Sequence, residues 1–149
     1  MTLRITQKDF PVGDHNYRVR KLDARTGTWL FGFLMAKAHP DGEPANMQEL
    51  VTAFHLLEKK DYDRVQTEVL LKVALVENIE GKEFESMVLA PSQSGMAHDF
   101  LRDDTRAVYE LTDMAVVFNL TPFFEKSSGS ETQNPQDTIQ PSAQPSTVS

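Results

Sequence analysis

The sequence predicts a mainly α fold of the α+β class. A β-hairpin over residues 3–22 packs on a small bundle of about four helices, in a single globular domain (1–126) followed by a disordered polar tail (127–149). Three observations predict it. Within Tyr17–Leu34 the apolar period changes from two residues to three and four, the passage from strand to helix. Three later stretches, at about 47–57, 62–78 and 104–120, repeat the helical period behind residues that cap helices. After Lys126 the chain is mainly Ser, Thr, Gln, Pro and Asn, with Ile139 and Val148 its only large aliphatics. Such a segment cannot bury enough apolar area to offset its ordering entropy.

Leu3–Phe10 reads as a short extended arm, and Pro11-Val12-Gly13-Asp14-His15-Asn16 is rich in turn formers that let the chain reverse. Tyr17 and Val19 then alternate with Arg18 and Arg20, so an apolar face opposes a basic one. A two-stranded hairpin is marginal by itself, so this one must pack on the helices or pair with another chain, which leaves a homo-oligomer open. Asp23 stands where a carboxylate can accept bonds from the free amides of a first turn, and the first helix runs over about 24–38. Leu30, Phe33, Leu34 and the stem of Lys37 form its stripe, with Trp29 and Phe33 as a second pair. Gly27 and Gly32 each cost ~1 kcal/mol inside a helix. Two readings stay open: Gly32 and Ala36 form a flat patch beside Trp29 where another helix approaches closely, or Gly27 belongs to a loose turn and the helix starts later.

His39-Pro40-Asp41-Gly42-Glu43-Pro44 ends that helix, and Asn46 with Glu49 has the spacing of a capping box ahead of a helix at about 47–57. Asp61 can cap the next, about 62–78, in which Val65, Val69, Val73 and Val76 make one stripe. Glu80-Gly81-Lys82 reads as a turn, with Phe84, Met87, Val88 and Leu89 in a short strand of a small hairpin. Pro91–Ala97 is a loop. The last helix, about 104–120, carries Val108, Leu111, Ala115 and Phe118 on one face, and Val116, Val117 and Leu120 make it apolar on further sides. It is therefore central to the bundle or shares a face with a partner. Trp29, Phe31 and Phe33 read as core aromatics; the other reading is that Phe31, about 100° around its helix from Leu30, points away from the main stripe and joins a partner-binding patch. Phe123 and Phe124, which follow Pro122, either seal the end of the bundle or dock a partner. On the second reading Phe31, Val116, Val117, Leu120, Phe123 and Phe124 are the candidate partner-binding residues.

Catalytic and cofactor chemistry is not indicated. With no cysteine there is no disulfide, thiolate metal site or cysteine nucleophile. His15, His39, His55 and His98 never take metal-binding spacing, and there is no nucleophile elbow or phosphate loop. No apolar run approaches the ~18 residues of a membrane span. The start has no apolar signal core, which places the chain in the cytosol. The net charge of −7 is uneven: residues 1–25 carry a net +3 and the rest −10. An acidic body repels phosphate backbones, so no nucleic-acid partner is expected. Arg18 and Arg20 are either a solvated strand face or a contact for an acidic partner.

The stretch YRVRKLDARTGTWLFGFL resembles the signature of the tail assembly chaperones of long-tailed bacteriophages and prophages, in which a strand ending in a segment like x-V-x-K-L-D-A leads into an apolar helix. Val19, Lys21, Leu22, Asp23 and Ala24 carry the resemblance, and Gly27 and Phe33 fit it. The resemblance implies a non-enzymatic protein of the host cytoplasm, without cofactor, that coats the tape-measure protein until tail-tube subunits polymerise and is not retained in the mature virion. It implies the tail-tube protein as a second partner of longer, frameshifted forms. A minor structural or tail completion protein of the particle is the alternative reading.

Overall fold

The computed structural model describes residues 5–92 and 95–125. Within it Ile5–Phe123 form one compact unit. The expectation of disorder at 127–149 lies outside the described residues. The N-terminal hairpin forms as the alternation predicts. β1 (Gln7–Val12) pairs antiparallel with β2 (His15–Arg20) across the two-residue turn Gly13-Asp14, and Gly13 takes the left-handed φ of +59° that such a turn needs first. α1 (Ala24–Ala38) begins behind Asp23, whose side chain accepts from the Thr26 amide. α2 (Met47–His55) carries the full capping box of Asn46 and Glu49 and ends two residues earlier than expected. α3 is Lys59–Leu70, α4 a single turn at Asp99–Arg102 that the sequence reading missed, and α5 Thr105–Leu120 behind the cap Asp104. A 3-10 turn, Thr121–Phe123, follows directly.

The largest correction concerns the expected helix at 62–78. α3 stops at Leu70, and β3 (Val73–Ile79) takes the remainder of that span. β3 pairs with β2 on one side and with β4 (Lys82–Met87) on the other, giving one antiparallel sheet in the order β1-β2-β3-β4. "Mainly α" is thus too loose a description, since the second hairpin joins the first in a four-stranded sheet. The reason lies in how valines repeat. Val65, Val69 and Val73 keep helical spacing, but from Val73 to Val76 the chain is continuously apolar, and Val73, Ala74 and Leu75 are all buried as an inner strand requires. Its start is also corrected: Glu58, not Asp61, occupies the N-cap, and Asp61 lies in the first turn.

Both glycines of α1 are helical. The Gly27 amide bonds the Asp23 carbonyl at 2.8 Å, so the helix starts at Ala24, and a Cβ built on Gly32 meets nothing within 4 Å. Gly32 therefore hosts no close approach among the described residues. The core lies between the inner sheet face, with Tyr17, Val19, Val73 and Leu75, and the helices, with Leu30, Leu34, Phe54 and Leu111 among its buried side chains.

The outer sheet face resolves the alternating arginines. Asp9 is the cross-strand partner of Arg18, and the Arg18 guanidinium donates to it at 2.8 and 2.9 Å. The same group reaches over buried Ala74 of β3 to Glu83 at 2.7 Å and Glu85 at 2.8 Å on β4, leaving its side chain 13% exposed. Arg20 donates to Glu85 at 2.8 and 3.0 Å. The acidic partner of the basic strand is this chain's own fourth strand. Those bonds, from Arg20 first and then Arg18, hold the Glu85 carboxyl down at about 2.

Candidate partner-binding surface

The junction Lys21–Ala24 fixes the C-terminal end of α5 against the start of α1. The Lys21 ammonium donates to the Phe118 carbonyl at 2.6 Å and lies 4.2 Å from the Phe118 ring centre, a cation where the last turn of a helix is most negative. The Leu22 amide donates to the side-chain oxygen of buried Asn119 at 2.7 Å, while the Asn119 amide nitrogen donates to the Ala115 carbonyl at 2.9 Å. Asp23 then caps α1, accepting from the Thr26 amide at 2.9 Å and its hydroxyl at 3.0 Å, which holds the carboxyl below its usual range. Three successive residues thus join sheet, α5 and α1.

That junction presents an aromatic pair at the surface. The Phe31 ring of α1 stacks on the Phe123 ring with centroids 4.1 Å apart and planes within 5°. Phe123 keeps 40% of its surface exposed, and Val117, four residues before Thr121 and bonded to its hydroxyl through the backbone carbonyl, keeps 37%. Phe124 is exposed as well. Of the six candidates, Phe31 and Phe123 are brought into contact, Val117 faces outward, and Val116 and Leu120 are buried in the core. The latter two reach a partner only if α5 turns out of the core. Trp29 and Phe33 sit half-buried, stacked on each other at 5.4 Å, with Arg64 over Trp29 and Lys37 over Phe33.

Other features have structural roles. His39 bonds Glu49 at 2.8 Å, tying the end of α1 to α2, and His55 bonds Asp113 at 3.3 Å, tying the end of α2 to α5. A cleft of about 520 Å³ between α1 and α2, lined by Ala38, Ala53 and Leu56, also carries Glu49 and Glu58, of which Glu49 is already committed to the Asn46 amide and His39. Among the described residues no group of three or more His, Asp or Glu can hold a metal ion, and no helix is long and apolar enough to cross a membrane. Sequence reasoning missed the exposure of Phe84, Phe100, Tyr109 and Leu56. Phe84 alone carried a signal, an aromatic at alternate spacing between Glu83 and Glu85.

Comparison with known families matches residues 13–131 to the family described as "Phage tail assembly chaperone protein, TAC". No curated protein and no solved structure matches the chain. The matched span runs from the turn of the first hairpin through α5 and takes in the Lys21–Ala24 junction, and on it the chain belongs to the phage tail assembly chaperone family.

Proposed function

We propose that the protein binds the tape-measure protein of its phage and keeps it soluble until the tail tube polymerises around it. The observation that carries this is the exposed Phe123 and Val117 at the end of α5, with Phe123 held in place by stacking on the half-buried Phe31, in a chain of this family. A helical, amphipathic client offers an apolar stripe, and Phe31, Val117 and Phe123 offer rigid apolar area for it, with Phe124 next in the chain. The net charge of −7 keeps the complex soluble. The protein acts without catalysis or cofactor in the host cytoplasm, is absent from the finished particle, and meets the tail-tube protein as a later partner.

Co-expression with the tape-measure product of the same gene cluster tests this. The soluble fraction of that product is expected to rise, and an unchanged fraction would count against the proposal. Stoichiometric recovery of the chain in purified virions would favour the tail completion reading instead.

A further inference from the structure

The sheet has two edges, and they are built differently. In a two-residue hairpin the residues flanking the turn form a hydrogen-bonded pair, and bonded and non-bonded pairs then alternate. Ile79 and Lys82 flank the turn Glu80-Gly81, where both residues have positive φ, so Lys82, Phe84 and Ser86 direct their backbone groups to β3. The Val88 amide, bonded to the Val73 carbonyl at 3.2 Å, continues that alternation. Glu83, Glu85 and Met87 therefore direct theirs outward. The same count along β1, from the flanking pair Val12 and His15, sends Gln7, Asp9 and Pro11 outward. Pro11 has no N–H, so the β1 edge is interrupted, a usual way to block strand addition. β4 has no proline, and all six of its residues are exposed.

We propose that the β4 edge pairs with the β4 edge of a second copy, antiparallel about a two-fold axis at Phe84, to make one continuous sheet of both chains. The strand complements itself in that register. Glu83 of each copy exchanges backbone bonds with Glu85 of the other, and the two Phe84 residues meet as a non-bonded pair, where Cα atoms come within about 4.5 Å. Phe84 is 49% exposed, and exposed Ile79 shares its face. Lys82 comes opposite Ser86. Charges that would ordinarily guard such an edge are largely offset from within: Arg18 pairs Asp9, Glu83 and Glu85, and Arg20 pairs Glu85 again, so three carboxylates share two guanidiniums. The like-charge penalty between two such edges is thereby reduced, and each acid of the edge already has a partner within its own chain. Beyond Met87 the chain bends and pairs with its own 95–97, which limits the seam to the stretch centred on Phe84. This inference does not depend on the client-binding proposal.

The chain has no cysteine, so single cysteines report the register directly. Under mild oxidation Phe84→Cys is expected to give a disulfide-linked dimer, and Lys82→Cys mixed with Ser86→Cys a linked heterodimer, whereas Glu68→Cys on α3 stays without a disulfide cross-link. Sedimentation of the unmodified chain is expected to show a concentration-dependent dimer, weakened about tenfold or more by Phe84→Asp. A chain that stays monomeric at its highest soluble concentration would overturn the proposal. So would a dimer in which Phe84→Cys links no faster than Glu68→Cys, or a monomer that captures only an extended segment of another protein at this edge.

Discussion

The two hairpins share a two-residue turn and an antiparallel ladder, yet the molecule uses them in opposite ways. The first is sealed: Tyr17 and Val19 are buried, Phe10 packs edge-on against Phe118 of α5, and Pro11 interrupts its edge. The second is open along its outer strand. Val73 and Leu75 of β3 are in the core, but Ile79, Phe84 and Met87 are exposed, and β4 is joined to the rest through β3 and the arginines of β2. The difference teaches that burial and charge pairing divide the work: the first hairpin and β3 support the structure through their apolar faces, whereas β4 is anchored through its polar face, which leaves Phe84 exposed for contact.

The strongest way to break that contrast is to truncate the aromatic of each hairpin. Tyr17→Ala is expected to cost about 3–5 kcal/mol in chemical denaturation, as for other large buried aromatics. Phe84→Ala should stay within about 0.5 kcal/mol of the parent, the usual range for a surface change. Equal losses at the two positions would refute the contrast. Next comes the junction. Asn119→Ala leaves the Leu22 amide buried without its acceptor, and about 1–3 kcal/mol of stability should be lost.

A smaller effect probes the polar anchor by pH. The Glu85 carboxyl is lowered from 4.5 to about 2 in the folded chain, so the unfolded chain binds its proton first as pH falls. The stability contributed is complete above pH 4.5 and is lost between 4.5 and about 2. Asp9, lowered by its bond from Arg18, adds to the same acid limb. Glu85→Gln should flatten the fall of denaturation midpoint over that range and leave its value near neutrality closer to the parent's than Tyr17→Ala does. An unchanged slope would show that the Arg18 and Arg20 pairs do not form in solution.

How much of this was legible in the sequence follows the range of each interaction. The first hairpin, the caps at Asp23 and Asn46, and the bounds of α1 all rest on residues within a few positions of each other, and they were read correctly. The passage from α3 to β3 was not, because Val65, Val69 and Val73 repeat every four residues across the boundary and only pairing with β2, more than fifty residues back, decides the strand. Arg18 was seen as basic and alternating, but its partners Glu83 and Glu85 lie 65 and 67 positions away. Of the candidate surface, the apolar breadth of α5 was visible, whereas which of Val116, Val117 and Leu120 face outward depends on where Lys21 and Leu22 clamp its last turn.

The most direct test of the proposed function separates the two exposed surfaces. Val117→Asp with Phe123→Asp, both at exposed positions, should leave the fold intact by circular dichroism but abolish the rise in soluble tape-measure protein on co-expression, while Phe84→Asp retains it. If instead the Val117 and Phe123 double variant solubilises the client as well as the parent chain does, the Phe31–Phe123 surface is not the binding site and the account is contradicted.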